Sequence, residues 1–518
     1  MEPKETFGLR GMLDYGTALY RRDDADRIGR RDAIALDMAR NACEGVQYLL
    51  TADRDVSGLS CRVTAADGAG HVLPGQVFVA WYTMIRDPDA KHNKGGYTPV
   101  AILPLDDPYQ GGAFDVTAGK VRTLFVRFRT KADTVPGLYR GKLEILRGGE
   151  TLLSGEITVR VRSVLYADAP ACITMIGLSY EPGDDAPGLR PGPAAAKPLQ
   201  EGADDALWQE YAEFLLDNRM TPSDIPFTGG ITAPGAVEYL KDPRVTKVYI
   251  RDKSDMAEPY RIAKENGLLD KLLFCYYDEP MNEGNLRYVL ECERNQQKVF
   301  PTRHFCDPFF IDLPEDGKNT PDRMAEVTDT FCTKAELFKG SFRDSMLKYK
   351  KERGDTLLWY VCMGGTPETI NRLPCTPGTD KRLLFWQQYQ QEVDGFLYWR
   401  ATFWNNHKDT WAKDYVGSEP EEVIPWDGDR LPTDDGVMLY WHPTTSKPVS
   451  TLGFEAMRAG IEDFELLTMA DKAFGREKIK AIVEEITTDP AQYLRYEEGS
   501  TEKLESLRTR LFDLLENA

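Results

Sequence analysis

Two adjacent acids, Asp278 and Glu279, are the residues of this 518-residue sequence whose types and spacing most directly suggest chemistry. They follow the apolar and aromatic run Leu272–Tyr277, which is typical of a strand buried on both faces of a parallel sheet. Pro280 comes next and cannot continue a central strand. Parallel α/β folds place their chemistry at the carboxyl ends of strands. The pattern therefore predicts acid/base catalysis of the kind that cleaves a glycosidic bond.

The adjacency of the two acids has two consequences. Neighbours on a regular strand point to opposite faces, so Asp278 and Glu279 can reach one site only if the chain turns just before Pro280. Two neighbouring carboxylates also repel each other, which favours a raised pKa for one of them. The alternative interpretation is that both acids cap a helix beginning near Met281, since acids are common at helix N-termini.

Composition argues against several classes of protein and partner. The formal net charge of -19 and the pI of about 4.9 argue against nucleic acid and anionic membranes as partners. There is no run of about 18 apolar residues, so no membrane span is predicted. The first 30 residues hold no apolar segment typical of a signal peptide. We therefore expect a cytoplasmic protein, or a secreted or periplasmic one whose signal has been removed.

Other motifs for chemistry are missing from the sequence. The nine cysteines contain no CxxC pair, and the five histidines show no HExxH or HxH spacing, so neither a metal site nor a disulfide framework is predicted. No GxSxG elbow and no glycine-rich phosphate loop is present either. The sequence predicts an enzyme that works without a cofactor.

The elements around the acids divide the chain into three parts. Residues 1–168 contain short alternating segments such as VRTLFVRF (121–128), separated by Gly, Pro and Asp, which predicts an antiparallel β-sandwich. In residues 169–475 strands alternate with helices, and roughly eight strands favour a catalytic (β/α)8, or TIM-like, barrel. The predicted strands include 172–176, 220–227, 272–277, 299–305, 395–400 and, as the last, 437–441, and the last predicted helix of this part is 453–474. Residues 476–518 are charged and helical, and we expect them to pack as a C-terminal extension on the barrel.

Aromatic residues stand at or near the ends of several predicted strands. A sugar-binding pocket needs apolar ring faces and a few placed polar groups. Which residue of each neighbouring pair faces the pocket is open, because the phase of a strand flips with one residue. The predicted substrate-binding residues are Tyr277, Trp359, Tyr360, Tyr398, Trp399, Trp404 and Tyr440.

Four segments in order resemble glycoside hydrolase family 123, the β-N-acetylgalactosaminidases. The first, YYDEP (276–280), resembles the active-site strand of that family, and the second, TLLWYVCMGG (356–365), its Trp-Tyr strand. The third, RLLFWQQYQQEVDGFLYWRATFW (382–404), is similar to a helix leading into a Gly-Phe-Leu-Tyr-Trp strand. The fourth, STLGFEAMRAGIEDFELL (450–467), resembles the last helix, with Arg458, Glu462 and Asp463 in place.

The resemblance implies a retaining exo-β-N-acetylgalactosaminidase that uses the 2-acetamido group of its substrate as the nucleophile, acting on glycans with a terminal β-linked N-acetylgalactosamine. Asp278 would then orient the acetamido group, and Glu279 would be the general acid and base. The final predicted strand departs from the family pattern at Trp441-His442, which alters one wall of the pocket. Two alternatives stay open: a glycosidase of the same fold acting on a different sugar, and an inactive carbohydrate-binding protein.

Overall fold

The computed structural model describes most of the chain. The described residues are 8–85, 95–178, 205–250, 256–362, 370, 372–404, 411, 425–426, 429–430, 435–487 and 500–517.

Ten strands form two five-stranded sheets in the N-terminal part of the chain. The first sheet has the order β1-β3-β8-β5-β6 and the second the order β2-β10-β9-β4-β7. Pairings are antiparallel except between β2 and β10, which run parallel and so depart from a purely antiparallel arrangement. The strands are β1 (Arg10–Tyr15), β2 (Ala33–Arg40), β3 (Cys43–Thr51), β4 (Val56–Ala66), β5 (Gly75–Ile85), β6 (Gly96–Pro104), β7 (Phe114–Val116), β8 (Arg122–Arg129), β9 (Gly137–Arg147) and β10 (Glu150–Leu165).

Alternation explains why these segments pair as they do. Along β10 the side chains of Ile157, Val159 and Val161 are buried, whereas the alternating residues Glu156 and Arg160 are exposed and Thr158 is half-buried. Side chains from both sheets, including Leu13 and Val126 of the first sheet, join them in one apolar cluster. The cluster is the core of the N-terminal part.

The second half of the described chain is built from short parallel strands and helices. A four-stranded parallel sheet has the order β11-β16-β15-β14, and β12 pairs in parallel with β13. The strands are β11 (Ile173–Ile176), β12 (Val248–Tyr249), β13 (Leu272–Leu273), β14 (Thr330–Lys334), β15 (Thr356–Tyr360), β16 (Gly395–Tyr398), β17 (Pro425–Trp426), β18 (Asp429–Arg430), β19 (Tyr440–Trp441) and β20 (Pro448–Val449). The helices are α1 (Asp205–Leu216), α2 (Ala236–Lys241), α3 (Ala257–Glu265), α4 (Glu283–Gln296), α5 (Thr320–Met324), α6 (Gly340–Arg353), α7 (Gly378–Gln390), α8 (Leu452–Phe474), α9 (Arg476–Val483) and α10 (Ser500–Glu516).

Isolated parallel bridges link these two parallel sheets at both ends. On one side Ile176 of β11 bridges to Pro222, and Asp224 bridges to Tyr249 of β12. On the other side Phe274, just after β13, bridges to Phe305, and Phe309 bridges to Thr333 of β14. The predicted strands around 220–227 and 299–305 therefore contribute single bridges rather than strands of their own. The parallel connections run from β11 through all six strands and return to β11.

The segment predicted as the final strand, 437–441, pairs differently. Tyr440 and Trp441 form β19, which is antiparallel to β20 and not part of either parallel sheet. Trp441 packs against Trp404 at a ring-centroid distance of 4.9 Å. We attribute the difference to this aromatic packing, which a run of apolar residues cannot distinguish from burial in a parallel sheet.

Buried ion pairs join the two halves of the chain. Asp463 of α8 accepts hydrogen bonds from Arg382 of α7 (2.6 Å) and Arg508 of α10 (2.7 Å), and Arg382 also contacts Glu44 of β3. We call this group the interface network; it comprises Glu44, Arg127, Arg382, Glu455, Arg458, Glu462, Asp463, Glu505 and Arg508. The motif residues Arg458, Glu462 and Asp463 thus connect α8 to other elements of the fold.

The C-terminal helix contacts both halves of the chain. Leu507 and Leu511 of α10 belong to the same apolar cluster as α7 and α8. On its polar side Asp513 pairs with Arg162 of β10, and Thr509 donates a hydrogen bond to Asp37 of β2. The helix therefore lies against the second N-terminal sheet as well as against α8.

Candidate active site

The chain turns away from the strand direction immediately after β13. Tyr276 and Tyr277 do not continue the strand, because their backbone N–H groups both donate to Oδ1 of Asp307 at 2.6 Å. Asp307 is buried and lies on the neighbouring segment 305–309. A side-chain carboxylate thus takes the place of a strand partner, and the turn places Asp278 and Glu279 beyond the end of β13.

Glu279 has an unusual backbone conformation. Its φ of 53° lies in the left-handed region, which a residue with a side chain adopts at a cost. Its N–H donates to the carbonyl oxygen of Pro308 at 3.0 Å, which ties the turn to the neighbouring segment. A left-handed residue breaks the alternation of a strand, so the rule that neighbours point to opposite faces does not apply here.

The carboxylates of Asp278 and Glu279 both act electrostatically on the thiol of Cys362. Burial raises the pKa of the Cys362 thiol, and the nearby carboxylates Asp435, Glu279 and Asp278 raise it further. Asp278 and Glu279 are therefore both close to the residue two positions beyond the end of β15. Asp278 is exposed and Glu279 is half-buried, so a substrate can reach them from solvent.

Tyr360 is the predicted aromatic residue that contacts a predicted catalytic acid directly. Its hydroxyl donates a hydrogen bond to Oε1 of Glu279. Burial and the charge of Glu279 both raise the pKa of Tyr360, so the phenol stays protonated as a donor. Tyr360 lies in an inner apolar cluster with Leu358, Cys332 and Leu397, on the faces of the parallel strands that point toward one another.

Trp359, the neighbour of Tyr360, has the opposite orientation. Its side chain is fully buried in the apolar cluster that includes the helices, and its indole N–H donates to Gln388 of α7 at 3.1 Å. The period of two along β15 thus separates the two predicted residues, with Tyr360 toward Glu279 and Trp359 toward α7.

Tyr398 and Trp399 surround another carboxylate at the end of β16. The Tyr398 hydroxyl donates to Oδ1 of Asp435 at 2.6 Å, and the indole N–H of Trp399 donates to the same oxygen at 3.4 Å. Arg372 donates to the Tyr398 hydroxyl and lies over its ring, 4.1 Å from the centroid. Because Asp435 also acts on Cys362, this group lies near the turn that carries the two acids.

Trp404 and Tyr440 belong to a packed aromatic group that reaches the N-terminal sheets. The indole N–H of Trp404 donates to the carbonyl of Leu439 at 2.7 Å, and the Tyr440 hydroxyl is 3.3 Å from the hydroxyl of Thr83. His442 is buried, with Nε2 3.1 Å from Oδ1 of Asp107. These contacts therefore pack the aromatic residues against one another and attach them to the N-terminal half of the chain.

Tyr277 lies on the solvent side of the turn. It is 37% exposed, and its ring meets that of Tyr288 of α4 edge to face at 6.4 Å. Met281 and Tyr288 are also exposed, at 59% and 54%. These three side chains form an apolar surface next to the two acids.

Sequence reasoning missed four polar residues near the turn. Asp307 follows a predicted strand directly, so the strand-end rule could have found it. Lys334 ends β14 and is close enough to Glu279 to feel its charge; burial lowers the pKa of Lys334, but Glu336, Cys362 and Glu279 raise it above its ordinary value. Asp435 and Arg372 lie outside the strands, and no periodic signal marks them.

Two expected features concern metals and membranes. Within the part of the chain that the structure describes, no group of three or more His, Cys, Asp or Glu side chains could hold a metal ion. Among the same residues, no helix is long and apolar enough to cross a lipid bilayer.

Comparisons with known proteins agree on one family. Residues 261–470 match the model of the glycoside hydrolase 123 catalytic domain. A solved family 123 glycoside hydrolase from Clostridium perfringens, described in connection with glycolipid glycan hydrolysis, superimposes with a TM-score of 0.69. It shares 12% sequence identity, over 98% of this chain and 97% of that one, and therefore supports the fold.

Other matches are weaker. The match to a Bacteroides ovatus xyloglucanase covers 86% of this chain and 100% of that one at 8% identity, with a TM-score of only 0.24. A search of curated protein sequences gave no match. The matched residues include β13, the turn with Asp278 and Glu279, and most of α8. Residues 261–470 therefore form a glycoside hydrolase family 123 catalytic domain, which makes the protein a glycoside hydrolase.

Proposed function

We propose that this glycoside hydrolase is a retaining exo-β-N-acetylgalactosaminidase that uses substrate-assisted catalysis. The observation that carries the proposal is the left-handed turn at Glu279, since it lets two adjacent acids act near one point, the end of β15. Family 123 membership supports the acetamido sugar. The description of the Clostridium relative supports glycolipid glycans, together with other glycoconjugates, as the substrate class.

The two acids divide the work in this mechanism. The carbonyl oxygen of the 2-acetamido group attacks the anomeric carbon while the glycosidic C–O bond breaks, and Glu279 gives its proton to the leaving oxygen. Asp278 accepts a hydrogen bond from the acetamido N–H and stabilises the positive charge of the oxazolinium intermediate. Glu279 then takes a proton from the water that opens this intermediate, which regenerates the sugar with retained configuration.

Neighbouring side chains have supporting roles in the proposal. Tyr360 donates to Glu279 and holds that carboxyl in place. Tyr277 offers an exposed ring next to the acids on which a sugar or its aglycone can pack. Trp399 and Tyr398 contribute through Asp435, a carboxylate suited to accept hydrogen bonds from sugar hydroxyls.

We also infer the architecture that was expected from the sequence. The closed order of parallel pairings and bridges, from β11 through β12, β13, β14, β15 and β16, supports a (β/α)8 barrel for residues 169–475. The two facing five-stranded sheets support a β-sandwich domain for residues 1–168. Residues 476–518 form a helical extension.

The test compares two substrates that differ only in the acetamido group. We expect hydrolysis of an aryl β-N-acetylgalactosaminide, inhibited by a thiazoline that mimics the oxazoline, and no hydrolysis of the matching aryl β-galactoside. Cleavage of the plain galactoside, or no effect of the thiazoline, would remove substrate assistance from the account.

Substitution of the acids assigns their roles. Glu279→Gln should lower kcat by about 10²- to 10⁴-fold on an alkyl glycoside and by less on a nitrophenyl glycoside, whose leaving group needs no proton. Asp278→Asn should lower kcat on both substrates, because acetamido attack accompanies the loss of either leaving group. Equal losses in Glu279→Gln on the two substrates would contradict its role as the acid.

A further inference from the structure

Helix α4 carries two buried polar residues where its pattern calls for apolar ones. Leu286, Val289 and Leu290 form the buried stripe of this helix. The same face continues with Glu293 and Gln296, which are 0% and 5% exposed. A fully buried glutamate is costly unless it has a partner, so its environment calls for an explanation.

Both residues reach the turn that carries the two acids. Gln296 accepts a hydrogen bond from the Tyr276 hydroxyl at 2.5 Å. Neither carboxylate oxygen of Glu293 has a hydrogen-bond partner among the donors of the described residues. The neighbouring group that acts most on Glu293 is the carboxylate of Asp307, which accepts the backbone N–H groups of Tyr276 and Tyr277. Helix α4 thus meets the start of the turn through Gln296 and through Glu293.

A hydrogen bond between two carboxyl groups needs a proton. Burial raises the pKa of Glu293 well above its ordinary value, and Asp307 raises it further. The other titratable groups that act on it, Cys306 beside Asp307 and Cys292 on α4, shift it in the same direction. The direction of this shift favours the protonated form of Glu293, which can donate to the Asp307 carboxylate beside it.

We propose that Glu293 is a positioning residue for the catalytic pair, acting through Asp307 on the backbone of Tyr276 and Tyr277. The proposal rests on the catalytic roles proposed above for Asp278 and Glu279. With the Glu293 donor in place, Asp307 is fixed and presents one oxygen to both N–H groups. Without the Glu293 donor, the Asp307 carboxylate stays charged in an apolar environment and can move toward water. The turn that it holds through Tyr276 and Tyr277 then moves as well.

The experiment uses two substitutions at one position and a matched control on the same helix. Glu293→Gln keeps a donor of nearly the same shape, whereas Glu293→Leu removes it and fills the space with an apolar side chain. Glu291→Leu makes the same change at an exposed position of α4. Each variant is assayed on an aryl and an alkyl β-N-acetylgalactosaminide, and amide hydrogen exchange is followed in peptides covering residues 272–280.

We expect Glu293→Leu to lower kcat by about 10²-fold with little change in KM, because displacing catalytic groups by about 1 Å costs that much. The loss should be larger on the alkyl glycoside, where Glu279 must deliver its proton. Exchange at Tyr276 and Tyr277 should become faster. Glu293→Gln should restore both kcat and slow exchange, and Glu291→Leu should change neither.

The outcome that overturns the proposal is equal behaviour of Glu293→Gln and Glu293→Leu, or exchange at Tyr276 and Tyr277 that stays slow in Glu293→Leu. The exchange measurement needs no substrate, so it decides the positioning of the turn even if no N-acetylgalactosaminide is cleaved. Failure of the proposed function has a separate sign, namely that wild type cleaves neither glycoside, or that Glu279→Gln remains fully active.

Discussion

Two buried glutamates of this protein, one in the interface network and one behind the catalytic turn, have pKa values that are shifted in opposite directions. In the interface network, burial alone would raise the pKa of Glu455, but Arg127 and Arg458 lower it to about 2. Behind the catalytic turn, Glu293 is equally buried, but its partner is Asp307, and its pKa is raised. For Glu455 and Glu293, which are both fully buried, the charge of the partner therefore decides the direction of the pKa shift.

The difference separates two uses of buried polar groups. Arginine–carboxylate pairs fix the two halves of the chain against each other, and the protein is strongly destabilised when one member of a buried pair is removed. A protonated acid paired with a carboxylate carries a single negative charge, and the groups that act most on Glu293 are the carboxyl of Asp307 and the thiols of Cys306 and Cys292. Such a pair gives little stability at neutral pH, so we associate it with function.

The largest expected effect breaks the interface network. Asp463→Asn removes the charge shared by Arg382 and Arg508, and should lower the free energy of unfolding by about 3–5 kcal/mol, since it leaves buried guanidinium groups with too little negative charge. Urea unfolding measures this. Glu485→Gln is the control, because its pair with Arg510 is exposed and should be worth about 0–1 kcal/mol. Equal effects of the two substitutions would show that the network does not hold the halves together.

The pH dependence of stability sharpens the comparison, because the two acids predict opposite signs. Glu455 stabilises the fold above its unfolded pKa of 4.5, and this contribution is lost as pH falls toward about 2. Over that window the advantage of wild type over Glu455→Gln should shrink by about 3 kcal/mol, at about 1.4 kcal/mol per pH unit.

For Glu293 we expect a pH dependence of stability with the opposite sign. Its contribution is fully present below the unfolded pKa of 4.5 and is lost as pH rises, because folding must then take up a proton. Wild type should therefore lose stability relative to Glu293→Gln by about 1.4 kcal/mol per pH unit above that value. Chemical denaturation of the three proteins between about pH 2 and pH 8 covers both windows and tests both signs. Parallel curves for wild type and Glu293→Gln would mean that Glu293 is ionised in the folded protein.

The smallest effect should appear in activity and not in stability. Tyr360→Phe removes the donor to Glu279 and should lower kcat by about tenfold, as expected for one hydrogen bond to a charged group, while the melting temperature changes little. Tyr349→Phe removes a similar bond to Asp322 on the outer helices and should leave kcat unchanged. A loss of kcat in both variants would point to a general effect on the fold.

The sequence predicts the elements well where a local pattern specifies them. The predicted helix 453–474 matches α8, and the predicted strands at 172–176 and 395–400 match β11 and β16. The predicted strand at 272–277 is shorter in the structure, because the N–H groups of Tyr276 and Tyr277 bind a side chain and not a neighbouring strand. Asp307, which lies 31 positions after Tyr276 and 30 after Tyr277, supplies that side chain, and no pattern within 272–277 indicates this contact.

The site was harder to predict than the elements. The adjacency of Asp278 and Glu279 before a proline was visible, but the phase of β15 was not, since Trp359 and Tyr360 are both buried and only packing separates them. Glu293 was equally hidden, because a glutamate on a charged helix gives no sign of burial. The two failures have different causes. Strand β15 is covered on both faces, so polarity does not report direction there, whereas Glu293 is a charged residue type on the buried face of α4.

The left-handed turn at Glu279 also has an entropic consequence. Its backbone is held by Asp307 and by the carbonyl of Pro308, while the side chains of Tyr277 and Asp278 face solvent. The turn is exposed to solvent, yet its backbone is already ordered before a substrate binds. Substrate binding then carries no entropic cost for ordering the catalytic loop. More of the binding free energy can therefore offset the distortion of the sugar toward the transition state.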